Sequence, residues 1–246
     1  MAGTLALGGN QTISQLDGAG AVDLGTSTLV VGQGVFSGGL AGTGGLNKQG
    51  SGLLTLSGTS SYSGATSVQG GTLAVQGNLT GAGLLTVANG GTLGGSGRVG
   101  GSVLVQSGGT LSPGSSPGVL TVAGNVTLTS GSLFRVEVDG YGLTGGSGGF
   151  DRVILTGNGA TFTAAGTLTP VMRGISGAAT NTFTAAIGDV FPIVVASNGS
   201  VTGHFDAVTQ PTTGGLPANT RFQVIYEPTQ LLLAVTPDLY GTSVAS

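Results

Sequence analysis

The sequence predicts an all-β fold: a single-stranded parallel β-helix, or β-solenoid, closed by a C-terminal β cap. Three observations point there. First, one phrase is written three times, as Val68-Gln69-Gly70-Gly71-Thr72-Leu73, Val87-Ala88-Asn89-Gly90-Gly91-Thr92-Leu93 and Val105-Gln106-Ser107-Gly108-Gly109-Thr110-Leu111, with its Thr residues 20 and then 18 positions apart. A period near 20 is too short for paired helices and suits a stacked β-coil. Second, glycine supplies 52 of the 246 residues and charged residues only 6%, yet 39% of the chain is hydrophobic. Glycine without an every-third pattern is not collagen, and apolar residues that alternate with polar ones are not what a disordered linker carries. Third, no stretch shows a capped i, i+3, i+4, i+7 apolar stripe, so no helix is expected.

Residues 1–133 read as glycine-rich solenoid repeats. Short apolar runs such as Thr28–Val31, Leu53–Leu56, Thr72–Val75, Leu84–Val87 and Val119–Val122 are bounded by Gly, Asn, Ser or Asp. That pattern predicts strands joined by tight turns. Glycine supplies the positive φ that coil corners require. Between corners, Leu73, Leu93 and Leu111 are expected to stack inward as one ladder and Val68, Val87 and Val105 as another. The Thr beside each Leu faces out. At ordinary strand spacing, roughly a dozen coils of 20 residues would make a rod on the order of 50–60 Å long.

Around Leu133 the composition shifts. Eleven of the 15 charged residues follow it, while glycine falls from 35 residues before to 17 after. Residues 134–238 read as further coils plus a cap, and 239–246 as a tail. Phe134-Arg135-Val136-Glu137-Val138-Asp139 alternates strictly and predicts a half-exposed strand with a charged outer face. After a glycine-rich break at Gly140–Gly149 come strand-like runs at Asp151–Leu155, Val190–Val195, Val201–Phe205, Phe222–Tyr226 and Leu231–Val235. Phe134, Phe150, Phe162, Phe183, Phe191, Phe205 and Phe222 supply bulk for a unit that covers the open end of a solenoid.

Composition narrows the function classes. A net charge of −3 with six basic residues does not fit a phosphate-backbone surface, so no nucleic-acid partner is expected. There is no cysteine, hence no disulfide framework or thiolate metal site. The N-terminus lacks a basic, then apolar, signal pattern, and the longest apolar run, Leu231–Val235, is far short of a span. No membrane insertion by this segment is expected.

The segment Gly44–Gly64, GGLNKQGSGLLTLSGTSSYSG, continues through Ala65–Val68 into Gly71-Thr72-Leu73. It resembles the passenger-associated repeat of bacterial autotransporters, the type V secreted proteins. Gly109–Val122 resembles a string common near the C-terminal end of such passengers. Gly188–Val195, Gly203-His204-Phe205, Leu216, Tyr226 and Leu231–Leu233 follow the order of the autochaperone region that precedes the outer-membrane barrel. The resemblance runs from about Gly38 to Pro237. It implies a right-handed β-helix displayed on the surface of a Gram-negative cell, with signal peptide and barrel outside the sequence shown.

Candidate chemistry is sparse. Gly114-Ser115-Ser116-Pro117-Gly118 and Gly145-Gly146-Ser147-Gly148-Gly149 match G-x-S-x-G, but neither sits between a strand and a helix. Gly95-Ser96-Gly97-Arg98-Val99-Gly100 spells G-x-G-x-x-G with no helix after it. His204, the only histidine, would have to serve any Ser-His-Asp triad, and reads as structural. Gly145–Asp151 is the nearest calcium-like loop, with Phe150 where an Asp ligand belongs. For acid–base cleavage of polysaccharides the available carboxylates are Asp17 and Asp23, or Glu137 and Asp139, the latter pair flanked by Arg135 as in a surface charge row. Thr127-Leu128-Thr129, Thr161-Phe162-Thr163, Thr167-Leu168-Thr169 and Thr182-Phe183-Thr184 echo ice-binding rows without their regular spacing.

The expectation is therefore a non-catalytic structural stalk with no catalytic, cofactor or metal residues and no cofactor. Its cap would template folding coil by coil. Self-association, or glycans of a host or cell surface, are the alternative partners, and a polysaccharide-acting enzyme on a solenoid is the rival class.

Overall fold

The computed structural model describes residues 3–114, 117–146, 148–172, 183–211 and 215–238. Within them every regular element is a strand, and there is no helix, hence none long and apolar enough to cross a membrane. The strands stack in parallel, each pairing with its counterpart one coil away, so the chain winds as a β-solenoid with three faces.

The first face runs from Gln11–Gln15 through the start of Leu29–Phe36, then Leu46–Lys48, Thr66–Val68, Leu85–Val87, Val103–Val105 and Val126–Leu128. It ends at Thr161–Ala164 and Ser200–Gly203. The second begins in the last part of Leu29–Phe36 and continues through Leu53–Leu56, Gly71–Val75, Gly91–Gly95, Thr110–Pro113, Leu133–Val138, Thr167–Met172 and Ala207–Val208. The third comprises the short strands Thr59–Ser60, Asn78–Leu79 and Arg98–Val99, then Val119–Val122, Arg152–Leu155 and Val190–Val195. Upstream, Thr4–Ala6, Ala21–Asp23 and Gly39–Ala41 form a separate three-stranded sheet, which meets the third face where Ser61 N donates to Leu40 O at 2.7 Å.

The expected ladders are present in register. Leu54, Leu73, Leu93, Leu111, Phe134 and Leu168 succeed one another along the second face, all buried. Val68, Val87, Val105 and Leu128 do so along the first. Each such side chain contributes roughly 1.5–3 kcal/mol by leaving water. A single coil offers no second layer to bury them, so stacking is what makes the fold stable.

Coil length is not constant, which corrects the estimate of roughly a dozen equal coils. Bonds between adjacent coils link residues 20 apart at Leu40 and Ser60 and 23 apart at Ser102 and Asn125. The separation grows to 36 at Asn125 and Thr161 and to 39 at Thr161 and Ser200. The extra chain leaves the wall between strands, as in the Gly140–Gly149 segment, while the three-faced cross-section continues.

The cap differs in pairing. Val190–Val195 pairs antiparallel with Gln230–Pro237, which pairs antiparallel with Thr220–Glu227 over eight residues. The intervening turn is tied to the last coil, Val201 N donating to Pro228 O at 2.7 Å and Ala196 N to Thr229 O at 2.8 Å. Bulk at this end comes from aromatic rings. Phe134 lies 5.8 Å from Phe162 and 6.1 Å from Phe205, and Phe191 lies 5.4 Å from Phe150 and 6.4 Å from Phe222.

Candidate functional site

Several of the few charged side chains of the solenoid are spent on its own backbone. Asp17 Oδ1 accepts from Val35 N of the next coil at 2.7 Å, and Asp23 Oδ1 accepts from Gly25 N at 2.9 Å within a turn. Lys48 stands in an inward ladder position between Val31 and Val68 and is fully buried. Its Nζ donates to the carbonyls of Gln49, Gly50 and Gly70 at 2.7, 3.0 and 3.0 Å, and burial pulls its pKa down. Tyr62 is also buried, its hydroxyl 2.6 Å from Thr66 Oγ1, and desolvation pushes it up to about 12.

The strand Leu133–Val138 departs from expectation. Glu137 and Asp139 are buried rather than forming a surface charge row. The reason is the glycine-rich segment after them, which folds back so that Asp139 N donates to Gly149 O and Asp151 N to Glu137 O, both at 2.8 Å. Asp151, also buried, accepts from Gly118 N at 2.7 Å and Glu137 N at 3.0 Å. Burial raises its pKa to about 8 against the pull of those two backbone bonds; the Glu137 charge adds to the rise and that of Arg135 opposes it. Asp151 thus acts as a staple between the second and third faces. Among the described residues no three His, Asp or Glu converge as metal ligands.

The remaining sequence candidates fall out as follows. Ser115, Ser116, Ser147 and Thr182 lie outside the described residues. Within Gly95–Gly100, Ser96 and Gly97 turn the corner between the strands Gly91–Gly95 and Arg98–Val99. His204 is exposed, with its ring 4.4 Å from that of Tyr226. Thr127, Thr163 and Thr202 share one column of the first face, whereas Thr167 and Thr169 belong to the second, so the Thr-x-Thr pairs do not form one row.

What the sequence did not reveal is a groove along the outside of the second face, about 790 Å³ in volume. One wall is the column Leu53, Thr72, Thr92, Thr110 and Leu133. Its floor is the neighbouring column Thr55, Ala74, Gly94 and Ser112, where the smallest side chains sit. Arg135 and Glu137, of opposite sign, line its C-terminal part, and Thr169 and Val171 continue it one rung further. The outward Thr residues had been legible as wet-face positions; the small column beside them becomes a trough only once register is known.

Comparison with known proteins bears on the coils that hold Lys48 and Tyr62. A family model described as the passenger-associated-transport-repeat matches residues 46–75, one full coil and the first two strands of the next. No curated protein matches the chain. The matched repeat, set in a solenoid of stacked parallel coils, supports an autotransporter passenger with passenger-associated β-repeats.

Proposed function

We propose that the chain is a non-catalytic structural stalk, displayed outside a Gram-negative cell, whose C-terminal cap templates its folding. The observation that carries this is the contrast in pairing. Thr220–Glu227 and Gln230–Pro237 are joined by a two-residue turn and pair along their whole length. Every strand-to-strand pairing between the coils upstream must close a loop of 17 residues or more. Loop closure costs entropy before any contact repays it, so the local hairpin forms fastest. Once formed, its buried Phe222, Leu231 and Leu233 give the last coil an apolar wall to pack on. Each coil then becomes the template for the one before it, which suits a chain that emerges from a pore C-terminal end first. The non-catalytic reading is supported by the carboxylates: Asp17, Asp23, Asp151, Asp189 and Asp206 all accept hydrogen bonds from the chain's own groups.

Pulse-labelling hydrogen exchange during refolding of the full chain tests the order. Amides of Gln230–Pro237 should gain protection first, those of Val126–Leu128 next and those of Leu29–Phe36 last. Protection that appears first in the repeat coils, or everywhere at once, would show that the cap is not the template.

A further inference from the structure

We infer that the groove on the second face is a binding site for an uncharged, extended glycan chain lying along the solenoid axis. Three features carry this. The first is periodicity. Thr72, Thr92 and Thr110 are register partners, so their hydroxyls repeat at the strand spacing, about 4.8 Å. An extended peptide advances roughly 3.3 Å per residue and about 6.6 Å per same-side pair, so neither repeat keeps step with these rungs. A linear chain of six-membered sugar rings advances by close to one rung per ring and offers a hydroxyl to each.

The second feature is the available hydrogen bonding. A peptide strand docks on a sheet by pairing with unpaired backbone at an edge. Here the backbone groups of the groove strands are committed to the coils on either side. What remains for a ligand is side-chain hydroxyl: Thr55, Thr72, Thr92, Thr110 and Ser112. These both donate and accept, as sugar hydroxyls do.

The third is charge and shape. From Leu53 to Ser112 the lining carries no charge, and the two charged residues beyond, Arg135 and Glu137, are opposite in sign. An acidic polymer gains nothing along such a trough. Leu53 and Leu133, 51% and 41% exposed, stand four rungs apart in one column of the groove, about 19 Å, and offer apolar contact to the C–H faces of sugar rings. That length sets a site of about four to six rings. The glycan reading stands apart from the folding role of the cap, and either can fail without the other.

The test is calorimetric titration of the full chain with neutral linear hexasaccharides (β-1,4-linked glucose, mannose and N-acetylglucosamine), their disaccharides, and an oligouronate of equal length. At least one neutral hexasaccharide should bind saturably, about tenfold or more tighter than its disaccharide and than the oligouronate. Binding should fall by about tenfold in the triple variant Thr72→Ala, Thr92→Ala, Thr110→Ala. It should fall similarly in Ser112→Tyr, which fills the floor from an outward position. Melting temperature and circular dichroism of both variants verify that the coils remain stacked. No saturation by any neutral chain, tighter binding of the oligouronate, or affinity unchanged in both variants would overturn the assignment. So would self-association of the ligand-free chain that both variants abolish, because the groove would then seat a second copy. Appearance of shortened sugars in the mixture would replace a binding site with a hydrolytic one.

Discussion

The ammonium of Lys48 reaches across to the next coil and donates to the carbonyl of Gly70 at 3.0 Å. Lys48 takes an inward position that Val31 and Val68 occupy in the adjacent rungs, so its methylene stem fills the core while its head closes a corner. Gln49 O and Gly50 O complete the cage. Lys48→Met keeps the stem and removes the head, leaving three corner carbonyls without that donor. The expected loss is about 2–4 kcal/mol, read as a lower midpoint in urea with an unchanged slope. A variant as stable as the parent would mean that water satisfies the corner equally well.

Asp151 makes stability depend on pH in an unusual direction. Its folded pKa, about 8, lies above its ordinary value of 3.8, so the folded chain holds a proton that the unfolded chain has released. Stability from this group is fully present below about pH 4 and is lost as pH rises through about 8. Thermal melts between pH 5 and 9 should show a midpoint that falls by several degrees. In Asp151→Asn that fall should disappear, although the variant starts lower because an amide cannot accept from both Gly118 N and Glu137 N. A parallel pH slope in parent and variant would assign the effect to another group.

The inward ladders were legible because alternation and a glycine phrase are local properties of the text. Leu73, Leu93 and Leu111 announce themselves within seven residues each. The burial of Glu137 and Asp139 was not legible, because it depends on chain that folds back from Gly149 and Asp151, beyond the strand itself. The alternation of Phe134 to Asp139 was read correctly as strand and wrongly as exposure. The groove was hidden for a related reason: Ala74, Gly94 and Ser112 are unremarkable apart and form a floor only as register partners.

Gln210 guards the outer edge of the cap. Its side-chain amide imitates a strand, Oε1 accepting from Phe222 N at 2.8 Å and Nε2 donating to Phe222 O at 3.0 Å. Thr220–Glu227 is the last strand of its sheet, and an uncovered edge of eight residues invites pairing with another chain. Gln210→Ala should change the melting temperature by only a few degrees while raising the rate of aggregation severalfold, followed by light scattering near the melting temperature. Equal aggregation rates would show that the edge is protected by other means.

Glycine serves two separable purposes in the coils, and two positions isolate them. Gly90 has φ of 80° with open space where a Cβ would stand, so its need is conformational alone. Gly81 has φ outside the left-handed region, yet a Cβ there would lie 1.8 Å from Tyr62 O of the preceding coil. Gly90→Ala should cost about 1 kcal/mol, with Gly90→Asn recovering part of it because Asn tolerates that backbone. Gly81→Ala must push two coils apart and should cost about 3 kcal/mol or more. The separation also pulls on the buried Tyr62–Thr66 contact, so protection of the amides around Thr66 should fall in Gly81→Ala and not in Gly90→Ala. Similar losses at both positions would mean that stacked coils yield to a methyl group as readily as an open turn does.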